Sequence, residues 1–248
     1  LPVARLYVSM PSGPAAPLLF VSIIIPTFNE GSHIGRLLAH LRAINGADAA
    51  VELVVADGGS LDDTAAEAAA HGARVVQCPR RGRAAQLNHG AARATGQILY
   101  FLHADSLPPA TLLPDLRAAV ATGAVAGCYR LRFDEPHWFL AANAWFTRFN
   151  FNGIRYGDQS LFVRREVFER AGGYREQLQL LEDQEIVGRL RQHGPFRVLP
   201  GYIVTSARKY RRNGIYRLQA VFALLTGLFW LGVPQARLVQ LYQRLVRG

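Results

Sequence analysis

The chain has 248 residues, half of them hydrophobic, with no low-complexity tract and no internal repeat, so it is globular and long enough to bury a full core. Its two cysteines, Cys78 and Cys128, exclude a disulfide framework and lack metal-ligand spacing, which favours a reduced, cytosolic setting. The net charge of +10 lies wholly in residues 127–248, where nineteen basic residues face nine acids; after Glu185 eleven basic residues follow and no acid. Such a charge suits a polyanion (nucleic acid, anionic lipid or a phosphorylated substrate), or is simply the solvated face of an Arg-rich chain.

The first residues, "LPVARLYVSMPSGPAAPLLF", contain the only Met, Met10, and no long apolar stretch of a signal peptide, so residues 1–18 are expected to be a loose extension. Strands and amphipathic helices then alternate. "LFVSIIIPTFNE" is a strand ended by Pro26, and "GSHIGRLLAHLRAI" a helix with Ile34, Leu37, Leu38 and Leu41 on one face and Ser32 as N-cap. "VELVVADGGSLDDT" is a strand running into a Gly-rich turn and an Ala-rich helix. "ARVVQCP" is a third strand, "RGRAAQLNHGAARATG" a helix closed by Gly96, and "QILYFLH" a fourth strand. This alternation implies βαβ units and a mainly parallel sheet.

The second half is less regular. "AVAGCYRLRF" reads as a strand, "PHWFLAANAWFTRFNF" as an aromatic helix, and "YGDQSLFVRREVFERAGGY" as loop, strand and short helix. "LLEDQEIVGRLRQHG" is a helix stopped by Gly194, and "RVLPGYIVTSARKYRR" a last strand with a basic loop. Residues 213–248 read as two helices broken at Pro234, the second carrying Leu238, Leu241, Tyr242 and Leu245 on one face with Arg237, Arg244 and Arg247 largely off it, the pattern of an interfacial helix.

Four strand ends carry polar clusters: "PTFNE", "ADGGS", "RRGRAAQLN" and "HADS". In a parallel sheet they gather along one edge, where open α/β sheets bind ligands. His103 and Asp105 are two apart and so share a face if extended; alternatively Asp105 caps the helix that follows. Asp57, before Gly58 and Gly59, either contacts a ligand or forms an Asp-Gly turn. Neither a P-loop nor a dinucleotide fingerprint is present.

Together with "YGDQSLFVRREVFERAGGY", "LLEDQEIVGRL" and "SARKY", these stretches resemble the family 2 glycosyltransferases of the GT-A fold, and most of all a small bacterial subgroup whose metal motif reads "LHAD". The resemblance covers about residues 20–246, with seven motifs in the family's order. It implies an α/β fold with a mainly parallel nucleotide-binding sheet over 19–212, a donor half (19–126), an acceptor half (127–212) and a C-terminal helical extension (213–248). It implies that Pro26, Thr27, Asn29, Glu30, Asp57, Gly58, Arg83, His103, Ala104 and Asp105 line the donor pocket. His103 and Asp105 occupy the D-x-D positions, with His in place of the first acid. Asp105 is then the metal ligand for Mn²⁺ or Mg²⁺, and His103 either joins it or touches the diphosphate.

Asp183 matches the family's catalytic base; on periodicity alone Glu182, Asp183 and Glu185 are equivalent. Asp158, Gln159 and Glu182 fall on the acceptor side. Arg208 and Lys209 either contact the diphosphate or face a membrane. The sequence is thus expected to encode an inverting, metal-dependent transferase using a nucleotide-diphosphate sugar, a UDP-sugar first, on a lipid or membrane-bound hydroxyl acceptor. It would act in the cytoplasm, peripheral on the inner face of an anionic membrane. The alternatives are a non-catalytic sugar-nucleotide or polyanion-binding module and a sugar nucleotidyltransferase. Nucleic acid is not an expected partner, because the basic tail carries no recognition module.

Overall fold

The computed structural model describes residues 19–46, 48 and 50–246; the expected N-terminal extension lies outside them. β1 (Val21–Thr27), α1 (Gly31–Asn45), β2 (Val51–Asp57), α2 (Thr64–Ala70), β3 (Arg74–Gln77), α3 (Arg83–Arg93) and β4 (Ile98–Phe101) alternate as the apolar pattern predicts. Then come β5 (Ser106–Leu107), α4 (Leu112–Ala121), β6 (Ala126–Phe133), α5 (Trp138–Phe146), β7 (Leu161–Arg164), α6 (Arg165–Arg170) and α7 (Glu182–Leu190). β8 (Phe196–Thr205), α8 (Arg208–Asn213), α9 (Ile215–Trp230) and α10 (Gln235–Leu245) complete the order.

All eight strands join one sheet in the order β3-β2-β1-β4-β7-β6-β8-β5. The first four are parallel, β7 runs antiparallel to both β4 and β6, and β8 is parallel to β6. Alternation along β1 sorts the two cores. Val21, Ile23 and Ile25 pack with Ile34, Leu37, Leu38 and Leu41 of α1 and with α4, whereas Ile24 packs with Leu87 and Ala91 of α3 and with Ile186 of α7. The strand ends of β1, β2 and β4 therefore emerge together between two helical layers, which is where the site lies.

Several local expectations are corrected. β1 runs through Pro26 to Thr27, because β4 has stopped pairing by then and the missing proline N–H leaves no ladder bond unmade. Ser32 is not the cap of α1; Glu30 holds that position, and Asp62 and Thr64 accept the N–H groups of Gly31 and Glu30 instead. Gly96 does not cap α3, whose C-cap Ala94 is extended; a Cβ at Gly96 would lie 2.7 Å from the Phe20 carbonyl oxygen, so glycine there permits close packing on β1. The basic loop after β8 is helical.

The α10 stripe is not offered to solvent. Leu238 is fully buried, and Leu241, Tyr242 and Leu245 pack beside it against Leu140 of α5, Tyr210 of α8 and Leu218, Val221 and Leu225 of α9. An apolar stripe serves a bilayer only if nothing in the protein covers it, and here α9 does.

Candidate active site

A cleft of about 600 Å³ opens at the strand ends. Its polar end is built by Pro26 and Thr27 at the end of β1, Glu30 just after it, Arg83 at the start of α3, and His103, Ala104 and Asp105 after β4. Asp158, Gln159, Glu182, Asp183, Arg208 and Lys209 form the facing wall. Residues from six separate stretches of sequence thus meet in one cavity. Its other end is apolar, lined by Leu131, Phe133, Phe146, Phe222, Leu225 and Tyr242.

Asp105 follows β4 in a turn, and α4 begins only at Leu112 with Thr111 as N-cap, so Asp105 caps no helix. Among the described residues its carboxylate has no hydrogen bond or ion pair. His103 Nδ1 lies 3.1 Å from Asp158 Oδ1. A Cβ placed on Gly157 would lie 2.6 Å from His103 Nε2 and 2.5 Å from Asp183 Oδ2. The imidazole and the Asp183 carboxylate therefore approach the same bare backbone, and only glycine leaves room for both.

Arg83 organises the charges. Its guanidinium is 3.3 Å from Glu182 Oε1, and the charges of Glu182, Asp183, Asp158 and Asp105 hold it protonated against the desolvation that opposes this. Glu182 is 2% exposed, and burial, then the neighbouring Asp183, push its carboxyl up to about 7 in spite of Arg83. Burial acts in the same direction on Asp158, but the His103 hydrogen bond and the charges of His103, Lys209 and Arg83 outweigh it and lower the carboxyl to about 2. Arg208 closes the rim by reaching Glu30, 3.7 Å away on the opposite side.

Asn29, Asp57 and Gly58 do not line this cleft. Asp57, 1% exposed, accepts from Thr27 Oγ1 (3.2 Å), Ser60 N (3.0 Å), Ser60 Oγ (2.5 Å) and Gly59 N (3.2 Å), so its lone pairs brace the turn after β2. Asn29 Oδ1 accepts from Leu61 N, and Gly58 leaves space for Gln86. Gln86 was not singled out in the sequence. It is buried and donates to the carbonyls of Thr27 (2.7 Å) and Ala56 (2.9 Å), pinning α3 to the ends of β1 and β2. Tyr156, Gly157 and the α9 residues Phe222 and Leu225 were also missed; the Gly in "YGDQ" was the one signal available for them.

Among the described residues the only non-glycine positions with positive φ are Asn29 (54°), Ser160 (60°) and Leu181 (63°). Leu181 lines the cleft and the other two adjoin residues that do. A leucine held left-handed costs roughly 1–2 kcal/mol; at this N-cap it starts α7 so that Glu182 and Asp183 enter the cleft in its first turn. Strain stored at such a place marks a functional site.

A mostly parallel sheet with a charged cleft at its strand ends is the arrangement in which open α/β folds bind their ligands. The chain belongs to the family described as Glycosyl transferase family 2, whose profile matches residues 22–170. It is 36% identical over 104 residues to an uncharacterized glycosyltransferase of Mycobacterium bovis, a match covering 42% of this chain and 45% of that protein. It is 32% identical over 97 residues to glucosyl-3-phosphoglycerate synthase of Mycolicibacterium smegmatis, over 36% of this chain and 32% of that protein. The matched part thus spans less than half the length of these curated relatives. The mannosyltransferase PcManGT from Pyrobaculum calidifontis, solved with GDP-Man and Mn²⁺, superposes with a TM-score of 0.69 at 20% identity, covering 85% of this chain and 62% of that one. Glucosyl-3-phosphoglycerate synthase from Mycobacterium tuberculosis, solved with Mn²⁺, UDP and glucosyl-3-phosphoglycerate, gives a TM-score of 0.59 at 21% identity over 87% of this chain and 81% of that one.

Proposed function

We propose that the chain is an inverting glycosyltransferase that moves a sugar from a nucleotide-diphosphate sugar to a hydroxyl acceptor. The observation that carries this reading is the approach of Asp183 and His103 to the same glycine backbone, with Asp105 beside them, in a cleft that is charged at one end and apolar at the other. Asp183 takes the acceptor's proton as its oxygen attacks the anomeric carbon, a role that typically contributes about 10²–10⁴-fold. Glu182 and Asp158 act through the groups they hold, the Arg83 guanidinium and the His103 imidazole. Arg83, Arg208 and Lys209 offset charge on the departing diphosphate.

The donor set fits a divalent cation only partly on its own. Asp105 is an unengaged carboxylate and His103 an adjacent imidazole, and among the described residues no group of three or more acidic, His or Cys ligands converges. Mn²⁺ or Mg²⁺ would be held by Asp105, with His103 beside it, and would complete its sphere from the diphosphate and water. When bound it supplies Lewis-acid stabilisation of the leaving group.

The nucleotide base would lie against the turn braced by Asp57, Asn29 and Gly58. A UDP-sugar is the first donor to test. The apolar end, where Phe146, Phe222, Leu225 and Tyr242 meet, suits an acceptor with a lipid tail, which would place the enzyme at the cytoplasmic face of a membrane. A screen of UDP-, GDP- and dTDP-sugars by released nucleoside diphosphate, with Mn²⁺, Mg²⁺ or chelator and with lipid-tailed or soluble hydroxyl acceptors, tests all of this. Metal-dependent release from one donor that rises with acceptor supports the reading. Donor binding without turnover, undiminished in Asp183→Asn, would make the chain a binding module instead.

A further inference from the structure

Apolar surface concentrates on α5 and the segment after it, where Trp138, Trp145, Phe146, Phe149 and Phe151 are 47–69% exposed. The rings form two groups along α5: Trp145 lies 5.2 Å from Phe146 and 5.1 Å from Phe149, and at the start of the helix Trp138 lies 6.3 Å from Tyr216 of α9. Soluble proteins seldom leave so many large rings together in water without a partner. Residues 136–157 hold seven Phe, Trp or Tyr and no acid.

The charges around the rings are positive. The Arg148 guanidinium sits 4.3 Å above the Trp145 ring, and Arg212, four residues before Tyr216, is exposed. The acids just before α5, Asp134 and Glu135, are both engaged by Arg211. Phe146 belongs to this surface and also lines the cleft, so the face reaches the apolar end of the candidate active site.

We propose that this face docks on an anionic lipid bilayer, with its rings at the level of the headgroups and its arginines on their phosphates. Trp and Tyr beside Arg are the composition of a membrane–water interface, and no described helix is long and apolar enough to cross a membrane. Pairing with a second copy is disfavoured, because a two-fold contact would press Arg148 and its basic neighbours against their own images with no acid to meet them. The inference rests on the exposed rings and not on the acceptor reading above, so each can fail separately.

The test uses the full chain in co-sedimentation with phosphatidylcholine vesicles, with and without phosphatidylglycerol. The intact chain should sediment with the anionic vesicles and be released by salt. Trp145→Ser combined with Phe149→Ser should weaken binding by about tenfold or more, and Arg148→Gln by about fivefold. Circular dichroism and nucleotide-sugar binding should be unchanged, since none of these side chains lines the cleft. No sedimentation of the intact chain, or undiminished sedimentation of the double variant, overturns the proposal. So does self-association that the double variant abolishes in the absence of vesicle binding, which would assign the face to a second copy.

Discussion

At the scale of single residues, the geometry separates carboxylates that the sequence left equivalent. Glu185 is spent on Arg189 and Arg175, and Glu182 on Arg83, which leaves Asp183 as the carboxylate of α7 without an ion pair among the described residues. Asp183→Asn should keep donor affinity and lose turnover by about 10²–10⁴-fold, with Glu182→Gln milder, as measured by kcat and donor Kd in one assay. Gly157→Ala tests the same geometry from the backbone side. Its methyl would displace both His103 and Asp183, and a misplacement of about 1 Å can cost on the order of 10²-fold in rate. Near-normal kcat in that variant would show that the two groups need not approach each other.

Glu182 also links the site to stability. Its carboxyl titrates near 7 in the folded chain against an ordinary 4.5, so the folded state keeps a proton that the unfolded state releases between these values. Its contribution is full below pH 4.5, declines as pH rises through that window, and is lost above about 7. Glu182→Gln, neutral throughout, should flatten this part of the curve of Tm against pH, measured as a difference from the parent. A difference curve of the opposite slope would mean that Arg83 outweighs burial.

At the scale of elements, the strand ends and helix starts do the positioning, and Gln86 is the clearest case. Gln86→Leu would remove two buried hydrogen bonds to the Thr27 and Ala56 carbonyls, the first of which still accepts from Gly58 N, at a cost of about 0.5–1.5 kcal/mol each in urea unfolding. The donor constant should rise with it, since the end of β1 would no longer be held to α3. The alternating half of the fold was legible because buried parallel strands and amphipathic helices write unmistakable periods, as Ile34, Leu37, Leu38 and Leu41 show. Asp105 drew notice because it stands at the end of such a strand, whereas periodicity left Asp183 equivalent to Glu182 and Glu185 and only the family resemblance singled it out. Gln86 drew none, since a buried glutamine that ties two strand ends leaves no mark on a helical pattern. Leu181 was equally silent: its left-handed backbone is imposed by tertiary packing, against the preference of its own side chain. Amphipathicity shows that a helix such as α10 has a buried face but not what buries it, so its tertiary partner was misread.

At the scale of the whole molecule, the C-terminal helices are a wall of the cleft as well as a cover. Trp230 donates to Gln184 Oε1 (3.2 Å), and Tyr156 shares a hydrogen bond with Thr226 (3.1 Å). Removing residues 214–248 would strip Leu218, Val221, Leu225 and Leu238 from their cluster. Four such side chains carry roughly 6–12 kcal/mol, comparable to the total stability of a domain, about 5–15 kcal/mol. The truncated chain should aggregate or lose its near-ultraviolet circular dichroism; a soluble, cooperatively melting product would show the helices to be dispensable.

The pairing of β7 with β4 has a consequence in time. Strands β1 to β4 close their ladders within about eighty residues, so the donor-side half can form while synthesis continues. The facing wall needs Leu161 to pair with Phe101, and its brace at Thr226 comes later still. Contacts so distant in sequence form slowly. Asp183 therefore comes up to Gly157 beside His103 among the last events of folding, after the ends of β1, β2 and β4 have formed, and under the proposed function a nucleotide present during refolding has a partly formed surface on which to settle.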